Sequence, residues 1–558
     1  MEQFLKGIHV GSAKYPKTPN QHYAYGTAGF RCSADILDAV LFRMGILAVL
    51  RSKHVKATIG VMITASHNPV EDNGVKLVEP MGEMLLPAWE GHATRLANAA
   101  DEDLEATVRA IIAELEVDIS QSANVFVARD TRPSSVRLVQ ALKDGVTAVN
   151  GHLTDYGLLS TPQLHYLVRC QNTKDAYGQH TEEGYYKKLA AAYTSLRKLI
   201  TPARSEQNDV GGCIDYSNHI LLDGANGVGA LKVAQFLTFM NPGLLDITVY
   251  NDGSSGKLNE QCGADFVKVQ QSPSSGMPAQ VGEKCVSLDG DADRIVYFYL
   301  DEDKKFHLLD GDKLATLIAG YVQELVTQSG LQLKMGLVQT AYANGSSTKY
   351  AVETLKVPVA CVCTGVKHLH HKAEEFDIGV YFEANGHGTV LYSQEAEKKI
   401  HHASSDESLS NEQRKAATIL RHFVDLTNQT VGDALSDMLL VETVLWARRW
   451  NMEAWNKSYT DLPNRLLKVK VKDRTVVQTT DAERQCTSPA GLQDAINALI
   501  ADYQSARSFV RPSGTEDVVR VYAEAATREQ ADKLAYAVAG EVYDLAQGVG
   551  DRPVAPSS

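Results

Sequence analysis

Short apolar runs recur along this chain, and most of them end in a turn crowded with polar side chains. Ile59 to Ile63 breaks into Thr64–Pro69, and Asn124 to Ala128 into Arg129–Pro133. Ile220 to Leu222 breaks into Asp223–Gly227, Cys285 to Leu288 into Asp289–Arg294, Pro358 to Cys363 into Thr364–Lys367, and Gly379 to Phe382 into Glu383–His387. Helical spacing lies between these runs. Leu37, Val40, Leu41, Met44 and Leu47 recur over Asp35–Arg51, and Val228–Met240 and Leu314–Val326 read as helices. Strands alternating with helices predict an α/β chain with mostly parallel sheets. The end differs. Beyond a hinge-like linker at Asp461–Arg465, strands at Leu466–Val471, near Ser508 and at Val518–Ala523 alternate with helices at Leu492–Tyr503 and Arg528–Leu545, an α+β pattern. Pro87–Leu115 reads as a solvated helical stretch, Ile400–Lys415 as a polar surface loop, and Val431–Trp450 as an amphipathic helix.

In open α/β sheets ligands bind beyond the carboxyl ends of strands, so the turns are the candidate site. The turn after Ile63 is the most informative. Pro69 removes a donor and pushes Asn68 out of the helical region, leaving Ser66 on a tight loop. Asn73-Gly74 reads as a second turn that brings Lys76 back toward it. Ser66 is a poor hydrolase nucleophile, because the glycines of G-x-S-x-G are missing and His67 is its immediate neighbour. A phosphoryl-carrying serine and a plain polar turn both fit.

Asp289, Asp291 and Asp293 alternate, and in an extended loop their carboxylates face one way. Three hard oxygen donors suit Mg²⁺ or Ca²⁺, but Arg294 and Leu300 stand where an EF-hand needs Gly and Glu. Glu383 and Asn385 can accept from and donate to vicinal hydroxyls. Arg511-Pro512-Ser513-Gly514-Thr515, with Arg520, reads as a phosphate nest or as an ordinary Pro-Ser-Gly turn. The turn Asp223–Gly227 lacks G-x-G-x-x-G and is no dinucleotide fingerprint, and His368, His370 and His371 lack the H-E-x-x-H pattern of a zinc site.

Length and composition narrow the classes. A chain of 558 residues predicts roughly three to five domains. A net charge of −13 argues against a general nucleic-acid binder. Eight cysteines without zinc spacing point to a reducing compartment. MEQFLKGIHV carries no signal-peptide core, and no uncharged apolar run approaches the length of a membrane span.

Four turns stand in a set order: TASHNP at Thr64, DGDADR at Asp289, EANGHG at Glu383 and RPSGTED at Arg511. This order resembles the α-D-phosphohexomutase superfamily, and within it the eukaryotic phosphoacetylglucosamine mutase branch, from YGTAGFR at Tyr25–Arg31 almost to the C-terminus. The resemblance implies a heart-shaped, four-domain α/β architecture with one active site where all four domains meet. Three similar α/β domains would span 1–180, 181–300 and 301–455, and a C-terminal α+β domain 456–558. It implies a cytoplasmic enzyme, monomer or homodimer, with a small sugar phosphate as substrate and neither nucleic acid nor membrane as partner. The reaction would interconvert N-acetylglucosamine 6-phosphate and 1-phosphate, toward UDP-N-acetylglucosamine, through phosphoserine at Ser66 and a hexose 1,6-bisphosphate.

The resemblance also implies roles. Ser66, Asp289, Asp291 and Asp293 would hold one Mg²⁺, and Arg31 and Arg294 would stabilise the moving group. Lys76 would trade protons with the sugar, with His67 and His387 as competitors. Thr364, Gly365, Glu383, Ala384 and Asn385 would bind the sugar, and Arg511, Pro512, Ser513, Gly514, Thr515 and Arg520 the phosphate that is not reacting. Asn385 stands where the superfamily usually has Ser, which fits an N-acetylated sugar, and Ala292 where many relatives have Gly. A glucose or mannose phosphomutase and a non-catalytic sugar-phosphate sensor are the alternatives; the full set of Ser66, three aspartates, Lys76 and arginines argues against the sensor.

Overall fold

A strand that is apolar at every position has to be covered on both faces, and Ile59–Ile63 is buried at all five residues. It is the middle strand of a five-stranded sheet in the order Phe30–Ser33, Asp72–Val78, Ile59–Ile63, Asn124–Arg129, His152–Leu158. The first two pairings are antiparallel and the last two parallel. The computed structural model describes residues 2–200, 216–514 and 516–555. They divide into two compact units, one of Met1–Asp310, Asn385–Thr389 and Thr418–Glu453, the other of Gly311–Ala384, Val390–Ala417 and Ala454–Ser558.

The first unit holds a second five-stranded sheet, ordered Phe306–Leu309, Ile295–Leu300, Cys285–Leu288, His219–Asp223, Asp246–Tyr250. Its pairings repeat the first sheet's sequence of two antiparallel and two parallel. In both sheets the central strand runs into a turn and returns as its antiparallel neighbour. The chain therefore leaves the core, presents a few residues at the sheet end, and re-enters. Helix Asp38–Val55 covers the first sheet and crosses Ser135–Ala148 at close range. A Cβ on Gly145 would lie 1.9 Å from the Phe42 carbonyl oxygen, so only glycine allows the contact.

The second unit contains a four-stranded sheet ordered Val359–Val362, Met335–Thr340, Ile378–Phe382, Gly388–Tyr392, whose first three strands are parallel. Its C-terminal part is a three-stranded antiparallel sheet of Asn464–Lys470, Val518–Glu524 and Arg507–Pro512. Helices Leu492–Ala501 and Arg528–Leu545 join the core formed with Val469, Val510, Val519 and Val521. The α/β class and the α+β tail are as the sequence predicts.

Several local expectations change. Ile400–Lys415 is no loop: it lies across helices Gln394–Ser405 and Asn411–Leu426. Its polar composition hides a narrow stripe, with Ala396, Ile400 and Ala403 buried, and the Ser393 hydroxyl accepts the Ala396 N–H at the helix start. The helix within Val431–Trp450 is Ala434–Arg448, and it is buried at every position from Ala434 to Leu445 rather than amphipathic. Pro87–Leu115 is two helices, each with a buried face that includes Trp89 and Leu96 or Val108 and Ile111. Asn73-Gly74 lies inside strand Asp72–Val78; the turn is one step earlier, closed by Asp72 N–H on the Pro69 carbonyl. Among the described residues no helix is long and apolar enough to cross a membrane.

Among the ion pairs that the first unit buries deeply is Lys284 with Glu442. Lys284 donates to Glu442 at 2.5 Å, and Tyr216 and Tyr297 donate to the same carboxylate. Both charges are almost fully buried, so truncating one leaves the other without compensation. Glu442→Ala is expected to lower the unfolding free energy of this unit by about 3–5 kcal/mol, read from urea melts.

Candidate active site

The serine turn is held from below by its own backbone. Ser66 has φ +52, an uncommon conformation for a residue with a side chain, and it is fully buried. Three side chains fix it there. Thr64 Oγ1 accepts the Ser66 N–H (3.0 Å) and donates to buried Asp130 (2.8 Å). Arg132, itself 1% exposed, pairs with Asp130 at 3.0 Å. Its Nη groups donate to the carbonyls of Ser66 and Asn68 (both 2.9 Å), Asp72 (2.9 Å) and Pro69. Asn259 Nδ2 donates to the same Ser66 and Asn68 carbonyls at 2.8 and 3.0 Å. Arg132 is thus one half of a structural ion pair.

The aspartate turn lies against the serine turn. A Cβ on Gly290 would sit 2.6 Å from the Ser66 carbonyl oxygen, so the two loops meet backbone to backbone. Asp289, Asp291 and Asp293 are all buried, and one oxygen from each lies within 4.8 Å of the others. They converge through a turn, not through the extended alternation the spacing suggests. Ala292 takes φ +57, and Asp289 Oδ1 accepts the N–H groups of Asp293 (3.1 Å) and Arg294 (3.2 Å). Ser66 Oγ donates to Asp289 Oδ2 at 2.6 Å.

Cations surround the triad. Lys76 stands opposite Met62 on the returning strand and reaches Asp291 and Asp293, each at 3.2 Å. Arg294 Nε lies 3.8 Å from both Asp289 and Asp293. Arg31 Nε has no acceptor among the described residues; burial and then the Arg294 charge hold that guanidinium below its ordinary value. Two guanidiniums placed so that each opposes the other suit an anion between them. Burial and the two neighbouring carboxylates hold the Asp289 carboxyl well above the usual range. The triad therefore suits a hard divalent cation, and Asp291 Oδ1, buried without a hydrogen-bond donor among the described residues, offers an open ligand atom.

Two histidines differ in fitness for proton transfer. His387 Nδ1 donates to the Asp293 carbonyl at 2.8 Å, which leaves the lone pair on a buried Nε2 without a partner among the described residues. His67 Nδ1 lies 3.5 Å from Ser66 Oγ, and burial followed by Arg294 and Arg31 pushes its imidazole down to about 3. His67 is neutral near pH 7 and a weak proton acceptor.

Other candidates lie in the second unit. Glu383 and Ala384 follow strand Ile378–Phe382 and are half-buried; Asn385, grouped with the first unit, accepts the His387 N–H at 3.0 Å. Gly365 opens helix Val366–Ala373 with φ +132, and His368, His370 and His371 are on that helix. Pro512 ends its strand, Ser513 is 5% exposed, and Gly514 is exposed with open space where a Cβ would be. Arg511 and Arg520 are directly opposed across two antiparallel strands. Like charges so placed repel unless an anion lies between them. Thr515 lies outside the described residues.

Several contributors escape sequence reasoning. Thr161 Oγ1 donates to Asp291 at 2.6 Å, from the first turn of helix Thr161–Asn172. Its signal was present as Ser160-x-x-Gln163, a capping box that fixes where that helix begins. Asn259 and Glu483 carry no local signal. Glu483 accepts from Thr364 N and Oγ1 (2.9 and 2.5 Å) and from Arg511 Nε (2.8 Å).

Comparison with known proteins adds names to this geometry. The family model for phosphoacetylglucosamine mutase AMG1, domain III, matches residues 310–450. Those for phosphoglucomutase/phosphomannomutase match residues 46–104 and 94–177 (alpha/beta/alpha domain I) and 466–541 (C-terminal domain). Phosphoacetylglucosamine mutase of Homo sapiens is 55% identical over 98% of this chain and 99% of its own; that of Saccharomyces cerevisiae is 43% identical over 91% and 93%. The crystal structure of Aspergillus fumigatus N-acetylphosphoglucosamine mutase with GlcNAc-6P and magnesium matches with TM-score 0.91 at 47% identity, covering 98% of this chain and 99% of that one. A serine-to-alanine form of that enzyme in complex with glucose 1,6-bisphosphate matches with TM-score 0.90 at 46% identity, covering 98% and 100%.

Asp291→Asn preserves size and removes one charged ligand. It is expected to weaken Mg²⁺ binding by about tenfold or more, in titration calorimetry of the purified chain.

Proposed function

The chain belongs to the phosphoacetylglucosamine mutase family of the α-D-phosphohexomutases, and from that we propose that it interconverts N-acetyl-D-glucosamine 6-phosphate and 1-phosphate, toward UDP-N-acetylglucosamine. One observation carries the reading. The buried Ser66 hydroxyl, fixed at φ +52, lies 2.6 Å from a triad of carboxylates ringed by Lys76, Arg294 and Arg31. A relative bound to the 6-phosphate and magnesium, and its serine-to-alanine form bound to glucose 1,6-bisphosphate, support the substrate class.

Phosphoryl transfer needs positioning and charge neutralisation more than covalent assistance. Phosphorylated Ser66 gives its phosphoryl group to the free hydroxyl of the sugar monophosphate, whose proton leaves to a base. The resulting 1,6-bisphosphate turns over, and Ser66 Oγ takes back the other phosphoryl group. Lys76 handles that proton, with His387 Nε2 second to it; neutral His67 is the weakest of the three candidates. Arg31 and Arg294 spread the charge of the moving group. Asp289, Asp291 and Asp293, with a Ser66 phosphate oxygen, would hold Mg²⁺, which would supply further charge neutralisation.

Thr364, Gly365, Glu383, Ala384 and Asn385 orient the sugar. Arg511, Pro512, Ser513, Gly514, Thr515 and Arg520 hold the phosphate that is not reacting, which is remote binding energy used to align the reacting end. The same reading assigns domains at 1–180, 181–300, 301–455 and 456–558, a cytoplasmic location, and a monomer or homodimer.

Purified protein is expected to carry one added phosphoryl group by intact mass, and Ser66→Ala to lose that mass and the isomerisation together. Near-normal turnover by Ser66→Ala would rule out the covalent cycle. On a panel of hexose 6-phosphates, N-acetylglucosamine 6-phosphate should exceed glucose 6-phosphate in kcat/KM by about tenfold, the worth of one or two buried polar contacts. Equal efficiency would favour a glucose or mannose phosphomutase.

A further inference from the structure

Residues Asp481, Ala482 and Glu483 are three consecutive residues with side chains at positive φ, +50, +53 and +67. They form the tip of the hairpin between strands Gln478–Thr480 and Gln485–Ser488. Single residues in this conformation are uncommon, and a run of three persists only where the surroundings hold it. Two residues hold it: Arg484 donates to the Asp481 carbonyl (3.1 Å) and carboxylate (2.6 Å), and the Glu483 carboxylate, whose side chain is 13% exposed, reaches beyond the hairpin. Oε2 accepts from Thr364 N and Oγ1, at 2.9 and 2.5 Å, and Oε1 accepts from Arg511 Nε at 2.8 Å. One carboxylate thus ties the Thr364-Gly365 turn to the first arginine of the Arg511–Gly514 loop.

The way Arg511 is held matters. Glu483 engages Nε, the inner edge of the guanidinium, and the Tyr342 hydroxyl stands beside the same group; neither contact puts a carboxylate on the two Nη groups, which can form a fork for an oxyanion. Arg520 stands directly across the strand pair from Arg511. Without a carboxylate behind it, Arg511 would be pushed off its position by that like charge. We propose that Glu483 is a positioning residue for sugar-phosphate binding: it fixes Arg511 with both Nη groups directed to the phosphate and sets the Thr364-Gly365 turn by the same carboxylate. The proposal rests on the reading of Arg511 as a phosphate ligand.

The test measures phosphate affinity and turnover separately in the full-length protein. Glu483→Ala is expected to raise KM for N-acetylglucosamine 6-phosphate about tenfold, and to weaken inorganic phosphate in calorimetry by a similar factor. Glu483→Gln should recover part of both, because its amide oxygen can still accept from Arg511 Nε. The decisive arm is a double-mutant cycle: on an Arg511→Ala background, Glu483→Ala should change phosphate affinity by less than about twofold. Should Glu483→Ala fail to fold, Glu483→Gln and Thr364→Val interrogate the same link. The proposal is overturned if these variants keep KM and phosphate affinity at wild-type values, or if the loss persists undiminished without Arg511. A wild-type protein that binds phosphate but leaves the sugar phosphate unchanged would sink the mutase reading instead, and the phosphate arm would still decide the role of Glu483.

Discussion

Three carboxylates packed within 4.8 Å in a buried pocket repel one another and forfeit their hydration, and the site around Ser66 is arranged to offset that cost. Lys76 comes from the returning strand, Arg294 from the end of the same turn, Thr161 from a capped helix start, and His387 from a separate segment of the same unit. None of these contacts is an incidental surface pair. Their cations and hydroxyls balance a charge that the fold would otherwise expel, and in the proposed function a bound metal would complete that balance.

Placement of the groups comes from a backbone device used twice in the first unit. A central strand leaves the sheet, turns, and re-enters as its own antiparallel neighbour. Ser66 and Lys76 stand on one such excursion, and Asp289 to Arg294 on the other. Because both ends of each turn are locked into hydrogen-bonded strands, a displacement of the turn would cost several ladder bonds. Rigid elements place reactive groups more accurately than free loops do.

The sequence made the site strands readable because they are short, uninterrupted apolar runs bounded by turn residues. Cys285–Leu288 and Arg528–Leu545 fall at the expected boundaries. Side chains that act through non-local partners were not readable. Asn259 reaches Ser66 across 193 positions of sequence, and nothing next to Asn259 announces it. Helix Gln394–Ser405 was hidden for a different reason: its buried stripe is narrow and partly alanine, so composition masked periodicity. The aspartate turn was readable as chemistry but not as shape, since the positive φ of Ala292 cannot be inferred from an alanine.

The grip of Arg132 and Asn259 on the Ser66 and Asn68 carbonyls, with Gly290 pressed against the same edge, leaves the serine loop almost no internal freedom. What remains to Ser66 is rotation about a single side-chain bond. In the proposed cycle the nucleophile works as a fixed anvil, and the search for a second reactive orientation falls to the small molecule, tumbling between two presentations of itself while the loop beneath it stands still.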